Sequence, residues 1–223
     1  SSVGGKTGIN LPTGKNLIGT FYQPSLVIID PQVLSTLKKR ELLSGMAEVI
    51  KYAVIRDENF FKFLMKNINE ILMLDMDKIK KIIKKSCRIK AHIVSQDEME
   101  EGIRAYLNFG HTIGHSIETL TNYRYYKHGE AVAIGMAAAA KMAAAWGFCS
   151  FETYIKIKQL IEMTGLKTKM PKLSYKQYIK IIKKDKKKIG EQVRLVLPKR
   201  IGEVFIKEME IKDVELALKN ELK

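Results

Sequence analysis

A nearly continuous helical pattern of apolar residues is the feature of this sequence that most limits its fold. From about Gln32 onward, apolar side chains recur three and four positions apart, the spacing of an amphipathic α-helix. The Ala-rich stretch Ala131–Trp146 predicts a tightly packed buried helix that carries Lys141. The sequence therefore predicts a mainly α protein. The predicted helices lie near residues 32–37, 40–55, 57–74, 77–96, 110–122, 129–147, 151–164, 174–184 and 211–222.

Two segments depart from the helical pattern. The apolar run Ser25–Asp30, which ends at a proline, is typical of a buried strand and its end. Val193–Leu197 and Glu203–Ile206, separated by a turn with proline and glycine, predict a small β-hairpin.

Residues 1–20 are rich in Gly, Thr and Asn and predict a loop. We expect the domain boundary after residue 37, so that residues 1–37 end an α/β domain and residues 38–223 form a helical domain. The N-terminus has no initiating Met and no hydrophobic signal core, which predicts a fragment.

Composition excludes several classes of protein. No run of about 18 apolar residues is present, so a membrane span is not expected. The two cysteines, Cys87 and Cys149, do not form a CxxC motif, which predicts a reducing, cytoplasmic setting without a disulfide scaffold. The net charge of +15 is spread along helical patterns with Ile between the lysines, typical of a solvated face. No nucleic-acid-binding motif accompanies it, so we expect no nucleic-acid partner.

Three of the four histidines fall in one short window. His111 and His115 are four residues apart and share a face of a predicted helix, and His128 follows after a short loop. A lone histidine usually satisfies polar groups in a core, but three in this arrangement favour a metal site or acid–base chemistry.

Other charged residues have simple alternative explanations at this point. The loop around Lys6 and Lys15 is glycine-rich but lacks the first glycine of a P-loop, so it is either an anion-binding loop or a plain turn. Glu48 and Lys51, three apart on a predicted helix, fit an ordinary ion pair. Lys90 and Arg104 fit a solvated surface.

Five motifs in order resemble the 3-dehydroquinate synthase family of sugar-phosphate cyclases. They are Ser1–Asn10, Gly14–Pro24 (GKNLIGTFYQP), Gly45–Lys51 (GMAEVIK), Leu107–His115 (LNFGHTIGH) and His128–Met136 (HGEAVAIGM). Weaker agreement continues at Asp185–Lys187 and Arg194–Pro198.

The resemblance implies a lyase of the shikimate pathway of aromatic amino-acid biosynthesis. Such an enzyme converts 3-deoxy-arabino-heptulosonate 7-phosphate to 3-dehydroquinate and phosphate, through transient oxidation by NAD, phosphate elimination, re-reduction and an intramolecular aldol. It uses NAD and a divalent metal (zinc or cobalt), and family members are typically homodimers. The implied fold is a helical domain preceded by the end of a Rossmann-like domain.

The resemblance also implies residue roles. The metal ligands would be Glu48, His111 and His128. The catalytic groups would be His115, Lys51 and Lys6, and the dinucleotide would contact Lys6, Lys15, Val33, Leu34, Ser35 and Thr36. The substrate would contact Asn16, Lys90, Arg104, Asn108 and Lys187, the last flanked by two other lysines. The glycine-rich pyrophosphate loop of the family is absent from this sequence, so we expect the 223-residue chain to be inactive alone.

Three alternatives remain open. A sister cyclase, such as 2-deoxy-scyllo-inosose synthase or a sedoheptulose-phosphate cyclase, would use the same metal ligands. A metal-dependent alcohol dehydrogenase would not need the cations Lys6, Lys90 and Arg104. A non-catalytic helical dimerisation module would explain the charge without any chemistry.

Overall fold

The computed structural model describes residues 2–11, 14–184, 188–189 and 192–222, with the backbone alone for residues 10–11, 14–17, 184 and 188–189. The helices are α1 (Lys39–Arg56), α2 (Glu58–Leu72), α3 (Met76–Gln96), α4 (His111–Leu120), α5 (His128–Ala145), α6 (Phe151–Met163), α7 (Tyr175–Lys184) and α8 (Ile211–Glu221). Short 3-10 helices cover Pro31–Thr36 and Ile103–Asn108. The prediction of a mainly α protein is confirmed.

Side-chain caps define where several helices begin. Asp57 accepts a hydrogen bond from the backbone N–H of Phe60 at 2.8 Å and starts α2, while Ser150 accepts one from Thr153 and starts α6. Such caps satisfy backbone donors that a first helical turn leaves without partners. Asp57 also ends α1 and binds Lys85 of α3 at 2.8 Å, so one carboxylate joins three helices.

Helix α5 is the centre of the core. Nearly every residue from Ala131 to Ala143 is buried, and the helix packs against α1, α4, α6 and strand β4 (Gln192–Arg200). The many alanines allow this close approach on all sides. At Gly135 a Cβ would lie 2.0 Å from the carbonyl oxygen of Gly110, so α4 and α5 can touch here only because the side chain is missing. The predicted buried helix is confirmed.

The C-terminal sheet contains the predicted hairpin and one further strand. β4 pairs antiparallel with β5 (Glu203–Glu210), with Val193 opposite Met209 and Leu197 opposite Phe205. The two-residue strand β3 (Lys188–Ile189) pairs with the other side of β4. The hairpin prediction is confirmed.

Two predictions for the N-terminal segment are wrong. Residues 1–20, predicted as loop, contain β1 (Ile9–Leu11) and β2 (Gly14–Ile18), which pair antiparallel. Residues 25–30, predicted as a buried strand, are extended and mostly exposed, with Leu26 75% and Ile28 85% accessible. Among the described strands none pairs with this segment, so no sheet covers its apolar side chains.

Among the described residues, no helix has the length and apolar character needed to span a bilayer.

Candidate metal centre

Three helices bring Glu48, His111 and His128 together. Oε1 of Glu48 lies 3.6 Å from Nε2 of His111 and 3.8 Å from Nε2 of His128. These separations suit ligands that each lie about 2 Å from one shared ion. The buried Oε1 has no hydrogen-bond partner among the described residues, and a buried carboxylate oxygen without a partner is costly. The three side chains therefore fit a divalent cation.

The start of α5 is fixed against α1. The backbone N–H of Gly129 donates to Oγ of Ser44 at 3.0 Å, and a Cβ at Gly129 would lie 1.9 Å from the carbonyl oxygen of Ser44. Arg40 of α1 donates two hydrogen bonds of 2.7 Å to Glu130. These contacts hold His128, the first residue of α5, close to Glu48 of α1.

His111 is held as a neutral imidazole. Burial lowers its pKa well below the usual value, and the nearby Lys51, His115 and His128 lower the pKa further. Its Nδ1 lies 3.1 Å from the carbonyl oxygen of Phe109, which leaves Nε2 directed at Glu48. A neutral imidazole with a free lone pair is the form that binds a metal.

Lys51 binds one oxygen of the Glu48 carboxylate and leaves the other to face the histidines. Its buried Nζ donates to Oε2 of Glu48 at 2.6 Å, while Oε1 faces the histidines. The ion pair expected from spacing alone is thus present, and it lies inside the site. Lys51 holds the carboxylate in place with its positive charge beside the ligand set.

His115 lies beside the rings of His111 and His128. Its ring centroid is 5.3 Å from that of His111 and 5.9 Å from that of His128. This position, one turn along α4, agrees with a proton-transfer or anion-binding group near the cation. A second set of potential ligand atoms, on His115, Glu118 and His128, also lies within 4.8 Å.

Lys90 lies in a cleft next to the histidine cluster. The cleft has a volume of about 550 Å³ and is lined by Glu48, Tyr52, Lys90 and His128, together with Val27, Ile28 and Ile29. Burial lowers the pKa of Lys90, and the charges of Lys51 and Arg104 lower it further, whereas Glu48 opposes this effect. A site that concentrates positive charge in this way favours an anionic ligand.

Arg104 is buried rather than solvated. Its guanidinium donates to the carbonyl oxygens of Gly4, at 2.6 Å, and Glu98. The N-terminal glycine loop is thereby tied to the segment after α3, and Gly4, with φ of +108°, provides room for the arginine.

Glu100 connects two of the predicted site residues and was missed by the sequence reasoning. It accepts hydrogen bonds from Nζ of Lys6 and, at 2.8 Å, from Nδ2 of Asn108. Its backbone φ of +65° is unusual for a non-glycine residue. An acidic run in a strongly basic chain, at residues 97–101, was the signal that could have indicated it.

The remaining predicted residues are less closely connected to the histidine cluster. Val33, Leu34, Ser35 and Thr36 lie on the 3-10 helix before α1, where Ser35 and Thr36 donate to backbone carbonyl oxygens of the same turn. Lys15 and Asn16 lie on β2, where the backbone alone is described, and Lys187 lies outside the described residues.

The sequence matches two family models. The model described as 3-dehydroquinate synthase C-terminal matches residues 45–188, and that described as 3-dehydroquinate synthase N-terminal matches residues 1–44. A 3-dehydroquinate synthase of Thermoanaerobacter sp. (strain X514) is 52% identical over 206 residues, covering 92% of this chain and 58% of the relative. One of Dictyoglomus turgidum is 49% identical over 220 residues, covering 98% and 62%. The chain thus spans about three fifths of the length of these relatives.

Solved structures show the same fold. A 2-epi-5-epi-valiolone synthase from Streptomyces hygroscopicus subsp. jinggangensis 5008, with NAD+ and Zn2+ bound, matches with a TM-score of 0.88 at 24% identity, covering 99% of this chain and 62% of that one. A 2-deoxy-scyllo-inosose synthase complexed with carbaglucose-6-phosphate, NAD+ and Co2+ matches with a TM-score of 0.86 at 24% identity, covering 98% and 63%. With both family models accounting for residues 1–188, the chain belongs to the 3-dehydroquinate synthase family.

Proposed function

We propose that this chain supplies the metal- and anion-binding part of a 3-dehydroquinate synthase, which converts 3-deoxy-arabino-heptulosonate 7-phosphate to 3-dehydroquinate and phosphate. The observation that carries the proposal is the buried Oε1 of Glu48, which has no partner among the described residues and faces Nε2 of two histidines. The family assignment and the relatives of about 50% identity favour this substrate over that of a sister cyclase.

The proposed division of labour follows from the positions of the side chains. Glu48, His111 and His128 would hold the cation, and Lys51 keeps the carboxylate of Glu48 oriented. When bound, a divalent metal would acidify a substrate hydroxyl and polarise a carbonyl, and NAD would accept and return a hydride.

The other proposed roles concern binding and proton transfer. Lys90, Arg104 and Asn108 would hold anionic and polar groups of the substrate, as would Asn16 and Lys187. His115 and Lys6 would move or stabilise protons and negative charge near the reacting atoms. Lys6, Lys15 and residues 33–36 would contact the dinucleotide.

We also propose the organisation of the whole protein. Residues 1–37 would end the NAD-binding α/β domain, and residues 38–223 would form the metal- and substrate-binding domain. The protein would act as a homodimer in the cytoplasm, on a small sugar phosphate, without nucleic acid or membrane partners.

Metal content tests the proposal directly. We expect the chain to bind one equivalent of zinc or cobalt, with a rise in melting temperature, and His111→Ala to abolish both effects. His92→Ala is the matched control, because His92 lies on the exposed side of α3 beside Arg56 and should leave binding unchanged. Retention of the metal by His111→Ala would reject the ligand assignment.

Activity is tested in a protein that contains both domains. We expect a fusion of this chain to the NAD-binding half of a relative to release phosphate from 3-deoxy-arabino-heptulosonate 7-phosphate in the presence of NAD and metal. A fusion that binds both metal and NAD but releases no phosphate would reject the synthase assignment.

A further inference from the structure

Glu118 lies behind the metal centre, on the same helix as two of the histidines. It follows His111 by seven positions and His115 by three, so the three side chains share one face of α4. Its side chain is only 4% exposed, whereas that of His128 is 44% exposed. A buried carboxylate needs hydrogen-bond donors to offset its lost hydration, so its contacts indicate its role.

The two nitrogens of His128 face two different carboxylates. Nδ1 lies 3.1 Å from Oε2 of Glu118, and Nε2 lies 3.8 Å from Oε1 of Glu48. A neutral imidazole carries its proton on only one nitrogen, and an ionised carboxylate can only accept a hydrogen bond. The contact with Glu118 therefore favours the proton on Nδ1 and the lone pair on Nε2.

The ring of His111 is oriented in the same way as that of His128. Its Nδ1 lies 3.1 Å from the carbonyl oxygen of Phe109, and its Nε2 lies 3.6 Å from Oε1 of Glu48. Both histidines thus direct Nδ1 to an oxygen behind them and Nε2 to the same point. For His111 that oxygen is a neutral carbonyl, whereas for His128 it belongs to a carboxylate.

We propose that Glu118 is a positioning residue that accepts the Nδ1 proton of His128 and so fixes Nε2 as the metal-binding nitrogen. A carboxylate in this position also increases the basicity of the ligand nitrogen, and removing such a group typically weakens metal binding about 10- to 100-fold. The metal-binding part rests on the proposed function, but the position of the proton does not.

A competing arrangement would place a cation between His115, Glu118 and His128. The potential ligand atoms of these residues lie within 4.8 Å of one another. Such a cation would need the lone pair on Nδ1 of His128, which is the opposite tautomer. The position of the proton therefore separates the two possibilities.

The first experiment measures this tautomer in the metal-free chain. Nitrogen-15 NMR of the histidine rings at mildly alkaline pH should show the proton of His128 on Nδ1, and Glu118→Leu should move it to Nε2. Glu118→Gln keeps an oxygen acceptor and should keep the proton on Nδ1. A wild-type His128 with its proton on Nε2 would overturn the proposal.

The second experiment measures zinc affinity by competition with a chelator. We expect Glu118→Leu to weaken binding about 10- to 100-fold and Glu118→Gln to weaken it less. Ser116→Ala is the matched control and should leave affinity unchanged. Ser116 is a buried polar residue of α4 whose hydroxyl donates to the carbonyl oxygen of Thr112 within the same helix.

Two results of the second experiment would count against Glu118. These are unchanged affinity in Glu118→Leu, or a second equivalent of zinc in the wild type that Glu118→Leu loses. A wild type that binds no zinc would reject the proposed function instead, and the tautomer would still decide the role of Glu118. If Glu118→Leu does not fold, Glu118→Gln supplies the comparison.

Discussion

Lys90, a proposed substrate contact, is unfavourable for folding. Burial and the neighbouring charges of Lys51 and Arg104 lower its pKa, so folding brings this cation into a less favourable environment than water. We expect Lys90→Met to raise the free energy of unfolding at neutral pH, measured by denaturant titration, by an amount that solvent screening of this half-buried group keeps small.

The extra stability of Lys90→Met over wild type should decrease as the pH rises. The folded pKa of Lys90 lies below the unfolded value, so the unfavourable effect of its charge is complete below the folded pKa. The effect disappears as the pH rises from the folded pKa toward the unfolded one. An advantage that grows with pH in this range would contradict the explanation.

The sequence predicted the parts of the site that depend on spacing within one helix. His111 and His115 were placed on one face from their separation, and His128 was grouped with them because only a short loop intervenes. The participation of Glu48 needed the family resemblance. Glu100 and Glu118 were not predicted, because each acts on a residue of another segment. Glu118 is seven positions after His111, but this spacing does not show that α5 lies opposite.

At the scale of elements, the contact between α4 and α5 depends on missing side chains. A methyl group at Gly135 would lie 2.0 Å from the carbonyl oxygen of Gly110. We expect Gly135→Ala to lower the free energy of unfolding by about 1–3 kcal/mol, as overpacking typically does, and to weaken zinc binding by separating His111 from His128.

Gly45→Ala is the matched comparison for Gly135→Ala. It also lies inside a helix, but a Cβ there meets no atom within 4 Å. We expect it to raise the free energy of unfolding by about 0.5–1 kcal/mol, because alanine loses less backbone entropy. Similar thermal unfolding of the two variants would contradict the close contact between α4 and α5.

Asp57 stabilises the junction of α1, α2 and α3. Burial alone would raise its pKa, but hydrogen bonds from Lys85 and from the backbone N–H of Phe60 outweigh burial and lower the pKa. We expect Asp57→Ala to cost about 1 kcal/mol from the lost cap, measured by thermal unfolding.

The contribution of Asp57 should be lost in acid. A carboxyl with a lowered folded pKa contributes its full stabilisation above the unfolded pKa and loses it as the pH falls through the folded pKa. Asp57→Asn keeps a capping oxygen without the charge, so it should lack this part of the acid dependence. An identical acid dependence in Asp57→Asn and wild type would exclude the role of the charge.

The helices were predictable because each has a local pattern and local end signals. Predicted bounds such as 40–55 and 77–96 lie within a residue of Lys39–Arg56 and Met76–Gln96. The segment 25–30 has an equally clear local pattern, but burial of a strand depends on neighbours elsewhere in the chain. Periodicity contains no information about such neighbours.

For the whole molecule, the exposed apolar segment has consequences for association. Leu26 and Ile28 are 75% and 85% accessible, and exposed apolar side chains next to one another promote association. We expect the double variant Leu26→Ser, Ile28→Ser to reduce concentration-dependent association in sedimentation, with stability unchanged within about 0.5 kcal/mol. Leu216→Ser, at an exposed leucine of α8, should leave association unchanged.

The three proposed metal ligands come from three different helices, which has a consequence for stability. Glu48, His111 and His128 can meet only when α1, α4 and α5 are packed together, so metal affinity reports the integrity of the whole helical assembly. We expect a distant substitution that loosens this packing to lower the zinc affinity measured by titration, even though all three proposed ligands are intact. By the same linkage, a metal bound at the proposed site would raise the destabilisation that the fold tolerates.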